Sequence, residues 1–188
     1  MEIGDISNEL LKSAAKGDMD AFEAIYRASS GFVYNVALGV TGSREDAEET
    51  VGEVFVKLFE SLRDFRFKSS FKTWMYRVAV NTALNLRKKA AGRAARHVEL
   101  DENIGMAETA GEDNVEKSVT DNYNRDIVDN MLNTLSPDYR ACIVLREMQG
   151  LSYDEIAKAL DLNINTVRTR LKRAREILIK EVLVNELH

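Results

Sequence analysis

LSYDEIAKALDLNINTVRTRLKRAR, residues 151–175, decides how this chain is read. Ser152 with Glu155 three positions on makes a capping box, and Leu151 and Ile156 stand where a hydrophobic staple closes around it. A helix is therefore expected to start near Tyr153 and to bury Ile156, Ala157 and Leu160. It ends at Asp161-Leu162-Asn163, where Asn163 offers an N-cap to a second helix and Leu162 a staple to Val167. Two helices separated by a turn of about three residues form a helix-turn-helix.

In the second helix Ile164, Val167, Leu171, Ala174 and Leu178 recur at spacings of three and four and predict one inward stripe. Arg168, Thr169, Lys172, Arg173 and Arg175 fall on the other face or its edge, and no acidic residue lies between Asn163 and Arg175. Such a face suits phosphates and base edges. A solvated basic helix on a small bundle would carry the same charges, but the paired caps and the short turn favour DNA binding.

The chain has 188 residues, 45% of them hydrophobic and 30% charged, which fits two small soluble domains. One proline and no long alternating run of β-branched residues predict an all-α fold. No apolar stretch reaches the roughly 20 residues of a membrane span, and the N-terminus lacks a basic region followed by an apolar core, so a cytoplasmic protein is expected. A lone cysteine, Cys142, and two distant histidines, His97 and His188, predict no disulfide, no metal site and no cofactor. Cys142 reads as a small core residue.

The net charge of -5 is unevenly spread. Residues 1–98 hold 15 basic and 13 acidic side chains, residues 99–122 hold 1 and 8, and residues 123–188 hold 10 of each. The middle stretch is also poor in large apolar residues and is expected to be a flexible acidic linker. The expected division is a first domain over 5–95, a linker over 96–122 and a second domain over 123–184.

In the first domain Ser7 is placed to cap a helix with Leu10, Leu11, Ala14 and Ala15, and Asp18 another with Phe22, Ile25 and Tyr26. A third apolar run, Phe32 to Val40, ends near Gly42. Ser43 then caps a long amphipathic helix with an inward stripe of Ala47, Val51, Val54, Phe55, Leu58, Phe59 and Leu62. Its outer face, Glu45, Glu48, Glu49, Gly52, Glu53, Val56 and Glu60, is acidic around an apolar centre. On spacing alone it is equally a solvated surface. After a loop over residues 64–69, Ser70 is expected to cap a helix to about Lys89. Phe71, Trp74, Met75, Val78 and Thr82 line one side, and Thr73, Arg77, Asn81, Asn85 and Lys88 make a polar stripe on another. Arg87, Lys88, Lys89, Arg93 and Arg96 extend it into a second basic surface.

Past the linker, Ile127, Val128, Met131, Leu132 and Leu135 predict one helix, and Ser136-Pro137 a cap and a first-turn proline for the next. Tyr139, Cys142, Ile143, Val144, Leu145 and Met148 are expected to supply core, with Gly150 ending the helix.

Three stretches together resemble a known family: 43–66 (SREDAEETVGEVFVKLFESLRDFR), 69–89 (SSFKTWMYRVAVNTALNLRKK) and 135–175 (LSPDYRACIVLREMQGLSYDEIAKALDLNINTVRTRLKRAR). In that order they are similar to regions 2 and 4 of the small extracytoplasmic-function sigma factors of the sigma-70 family of RNA polymerase. The resemblance implies that Glu48, Glu49, Gly52, Glu53 and Val56 meet the clamp helices of the polymerase largest subunit, with the flap of the second-largest subunit as a further contact. It implies that Phe65, Arg66, Phe67, Lys68, Ser69, Arg77, Asn81, Asn85 and Lys88 hold the melted -10 strand. Asn165, Thr166, Arg168, Thr169, Lys172 and Arg173 would read the -35 element, and an anti-sigma factor is implied as a further partner. The chain departs from the family pattern at Gly52, often glutamine, at Phe67-Lys68, often a small or acidic pair, and at Asp161, often glycine.

The expected function is thus promoter recognition without catalysis or a small-molecule substrate. An autonomous helix-turn-helix regulator is the alternative, separated from it by whether DNA binding needs polymerase. An enzyme fused to a DNA-binding domain is disfavoured by the absence of a phosphate loop, a metal-ligand cluster or a nucleophile-base set.

Overall fold

The computed structural model describes residues 3–64, 70–98 and 127–185, and among these every regular element is helical. The first half holds α1 (Asn8–Ala15), α2 (Met19–Thr41), α3 (Arg44–Ser61) and α4 (Phe71–Val98). Helix α5 spans 127–133, and α6 (Pro137–Ile143), α7 (Tyr153–Leu160) and α8 (Ile164–Asn185) follow. Of the linker expected over 96–122, residues 96–98 belong to α4, and 99–122 lie outside the described residues, as do the loop residues Phe65 to Ser69.

The predicted caps set the helix starts. Ser7 accepts from the Leu10 amide at 3.2 Å, Asp18 from Ala21 at 3.1 Å, Ser43 from Asp46 at 3.2 Å and Ser70 from Thr73 at 3.1 Å. Each satisfies one amide that the first turn leaves without a partner. Ser136 instead caps α6 with its backbone only, its carbonyl accepting from the Arg140 amide at 2.9 Å.

Two expected helices, over Phe22 and over Phe32 to Val40, are one 23-residue helix, α2. Ser29-Ser30-Gly31 does not interrupt it, because the Ser29 hydroxyl donates to the Ile25 carbonyl at 2.6 Å and no proline intervenes. The weak propensity of glycine costs about 1 kcal/mol, which burial of Ile25, Val33 and Val36 outweighs. Helix α4 likewise continues to Val98. The four helices are also stitched by polar contacts: Lys57 of α3 donates to the Thr82 hydroxyl of α4 at 2.9 Å, and Arg87 of α4 to the Val40 carbonyl of α2 at 3.2 Å.

Two apolar residues placed inward by periodicity sit at the rim. Phe59 is 51% exposed and rests edge-on against Phe22, with ring centroids 5.4 Å apart. Met148 is 54% exposed because α6 runs on into a π-helical turn over Val144–Met148, whose wider winding rotates Met148 out of the stripe. Tyr139 is only partly buried, and Ile127 and Val128 are exposed. Cys142 is core as expected, and burial pushes its thiol up to about 11, so it stays protonated at neutral pH.

Buried residues of both halves form one continuous apolar cluster, from Leu11, Ile25 and Leu58 through Met75 and Val80 to Leu145, Ile156 and Leu171.

Candidate nucleic-acid and polymerase interfaces

Helices α7 and α8 carry the helix-turn-helix. The Ser152 hydroxyl accepts from the Glu155 amide at 3.3 Å while the Glu155 carboxylate accepts from the Ser152 amide at 2.8 Å, the reciprocal box expected from the spacing. The Ser152 amide and then the Ser152 hydroxyl, which both donate to the Glu155 carboxylate, hold that carboxyl below the usual range. Ile156 and Ala159 are the fully buried positions of α7, whereas Ala157 and Leu160, also expected inside, are only partly buried. Asp161 closes α7 in the left-handed region at φ 54, and the Asn163 side chain accepts from the Asn165 amide at 2.8 Å to open α8.

Val167, Leu171 and Ala174 are buried, which turns the opposite face of α8 outward. Asn165, Arg168, Thr169, Lys172 and Arg173 are all exposed there, and Thr166 is partly buried at the edge. Arg168 is steadied by a bond to the Asn165 side chain at 3.0 Å, and Arg173 lies 3.5 Å from the Tyr139 hydroxyl, the limit of hydrogen-bond reach. Arg175, counted with this face from sequence, instead pairs with Glu147 at 2.7 Å, and Arg170 pairs with Asp138 at 3.2 Å. Both therefore tie α8 to α6 and the π-helical turn that extends it.

On α4, Arg77, Asn85 and Lys88 are exposed and Asn81 is partly buried, so the polar stripe exists as a surface. Phe71 and Trp74 stack beside its start, with ring centroids 6.1 Å apart. The other expected strand contacts, Phe65 to Ser69, are outside the described residues.

On α3, Glu48, Glu49 and Gly52 are exposed around Val56, which is 59% exposed, and Glu53 pairs with Lys57 at 3.0 Å. Apart from its chain neighbours and the backbone of its own helix, nothing among the described residues lies within 4 Å of where a Gly52 side chain would begin. A cavity of about 350 Å³ opens next to this face, lined by Tyr26, Ser30, Tyr34, Asn35, Glu48 and Val51.

Sequence reasoning missed Arg140. It is 0% exposed and its Nε donates to the Gly39 carbonyl at 2.6 Å, linking the two halves. The available signal was a single arginine inside the apolar run from Tyr139 to Leu145.

Two helical units, a helix-turn-helix with an exposed basic face and an acidic helix face around an apolar centre define the class. The family model for Sigma-70 region 2 matches residues 25–93 and that for Sigma-70 region 4 matches residues 125–178. The chain belongs to the sigma-70 family, in its extracytoplasmic-function class. It is 36% identical over 178 residues to the ECF RNA polymerase sigma-E factor of Escherichia coli K12, covering 92% of each chain. To the protein of the same description from Haemophilus influenzae it is 32% identical over 177 residues, covering 92% of this chain and 93% of that one. The fold is similar to that of CnrH, solved with the cytosolic domain of CnrY, at a TM-score of 0.68 and 22% identity over 96% of this chain and 99% of the other. It is also similar to the sigma factor RpoE of Bartonella quintana, solved with the anti-sigma factor NepR, at 0.66 and 22% over 87% and 97%.

The chain is accordingly a sigma factor, a subunit that directs promoter-specific transcription rather than an enzyme. No helix among the described residues is long and apolar enough to cross a membrane.

Proposed function

We propose that this sigma factor divides its work among three surfaces, with a first unit over 5–95, a connecting segment over 96–122 and a second unit over 123–184. Helix α8 enters the major groove of the -35 element, where Asn165, Thr166, Arg168, Thr169, Lys172 and Arg173 meet bases and phosphates. Arg77, Asn81, Asn85 and Lys88 of α4, with Phe65 to Ser69, hold the melted -10 strand, combining cations for the backbone with aromatic and amide groups for unstacked bases. Glu48, Glu49, Gly52, Glu53 and Val56 dock on the clamp helices of core polymerase in the cytoplasm, and the second unit meets the flap. An anti-sigma factor is the controlling partner, a reading supported by the likeness to sigma factors solved with such proteins. The observation that carries the whole is the exposed face of α8, five polar or cationic side chains opposite the buried Val167, Leu171 and Ala174.

Core recruitment separates a sigma factor from a free-standing regulator. An exposed apolar centre within a charged rim is the anatomy of an interface, and the rim charges speed and orient association. Reversing Glu48 and Glu49 to lysine is expected to weaken capture of core polymerase at least tenfold at low salt. The helical circular dichroism should be unchanged, since neither residue is buried. Wild-type capture by the double variant across salt concentrations would leave this face as plain solvated surface.

Strand capture has its own readout. Asn81→Ala is expected to reduce permanganate reactivity of -10 thymines more than it reduces closed-complex binding, and a pre-melted promoter should recover most of the loss. If pre-melting gives the variant no advantage over duplex DNA, Asn81 does not hold the opened strand.

A further inference from the structure

Two asparagines at the opening of α8 carry the same side chain and do different work. The Asn163 oxygen accepts from the Asn165 amide at 2.8 Å and so closes the first turn. The Asn165 oxygen is left for another donor, Nη1 of Arg168, at 3.0 Å. A guanidinium carries donors only, so chemistry fixes which end of the Asn165 amide faces it. The Thr169 hydroxyl does not compete for that oxygen, because its one proton goes to the Asn165 carbonyl at 2.9 Å. Asn165, Arg168 and Thr169 thus form one bonded unit, all three exposed, in the first two turns of α8.

Other cations of this helix are held differently. Arg170 and Arg175 face the carboxylates of Asp138 and Glu147, and Lys172 lies 3.9 Å from Glu176. A carboxylate partner offsets the charge and occupies the N–H groups that a nucleic acid would take. Among the described residues no carboxylate pairs with Arg168. Its holder is a neutral amide, which takes one guanidinium donor and leaves the charge and the rest of the fork for a ligand. A guanine edge needs a pair of those donors, at O6 and N7. An exposed arginine without such a bond spreads over many rotamers, and binding then has to order it at an entropic cost. Residues near the N-terminus of a recognition helix are the ones that reach base edges, and Arg168 is the first cation along α8.

From this, and resting on the -35 reading of α8, we infer that Asn165 is a positioning residue. It aims Arg168, which forks onto O6 and N7 of one guanine of the -35 element. Asn165 sets base preference through that arginine and not through a base of its own.

Promoter selection by holoenzyme tests this. The full-length protein with core polymerase is offered a promoter library randomised across the -35 element, and the bound DNA is sequenced. Wild type is expected to favour guanine roughly tenfold or more at one position, and Arg168→Ala to erase the preference there. Asn165→Ala should cut it to about threefold or less at that same position and leave the other positions within about twofold. Alanine keeps the backbone amide that Asn163 caps and has the better helix propensity, so a weakened α8 does not account for such a loss. Asn165→Asp keeps an oxygen for Arg168 but has no amide nitrogen to offer a base. It should therefore restore most of the guanine preference, although its charge lowers affinity for every sequence alike. The inference is overturned if Asn165→Ala leaves the preference intact, if it alters a different position, or if aspartate fails to restore what alanine loses. A wild type that selects no -35 sequence, or an Arg168→Ala protein that selects as wild type does, would overturn the reading of α8 itself and the inference with it.

Discussion

Replacing Leu171 with alanine is expected to lower the unfolding free energy by about 2 to 5 kcal/mol, well beyond the cost of any surface substitution. Leu171 is 1% exposed between Val167 and Ala174, both at 0%, and it belongs to the continuous apolar core. Truncation removes the transfer free energy of its side chain and leaves a void that a helix pinned by Arg170–Asp138 and Arg175–Glu147 relaxes into only partly. Against a typical domain stability of about 5 to 15 kcal/mol, that loss leaves part of the population unfolded near physiological temperature. Urea melts of Leu171→Ala and of its exposed neighbour Lys172→Ala make the comparison, since the lysine change should stay within about 0.5 kcal/mol. A Leu171→Ala loss below about 1 kcal/mol would mean that α8 does not bury this stripe in the core.

Arg173→Ala carries the second large effect, on binding rather than folding. Its guanidinium is exposed, its hydrogen bond to Tyr139 is a long one, and it sits one turn beyond Thr169 on the outward face of α8. If it forks onto a guanine of the -35 element, alanine should cost about 1 to 3 kcal/mol of promoter affinity and relax the preference at that base pair. Binding by holoenzyme to a promoter series with single -35 substitutions measures both. Arg170→Ala is the matched control: partly buried and paired with Asp138, it should cost stability without altering base preference. A uniform loss on every sequence would make Arg173 a phosphate contact, and no loss at all would remove it from the recognition set.

Much of this was readable along the chain because it is local. A capping box needs residues three apart, so Ser152 and Glu155 announce α7 before any fold is known. The inward stripe of α8 follows from a period of 3.6, and the outward basic face is what that stripe leaves over. The same locality explains the errors. Ser29-Ser30-Gly31 carries breaker composition, but the packing that keeps α2 continuous through it is tertiary. Met148 lies on the apolar stripe of an α-helix and off that of the π-turn the chain adopts.

What the residues by themselves determined is the all-helical composition, the helix starts, the helix-turn-helix and the family. Only the tertiary structure decided how the halves meet. The apolar run around Arg140 hints at burial but names no partner, and Gly39 and Gly42 lie about a hundred positions away. A glycine inside a helix reads locally as a weakness; the reason for Gly39 is Val144 from the other half, which no periodicity encodes. Caps and stripes are set by neighbours one turn away, whereas close approach between surfaces depends on which surfaces the finished core brings together.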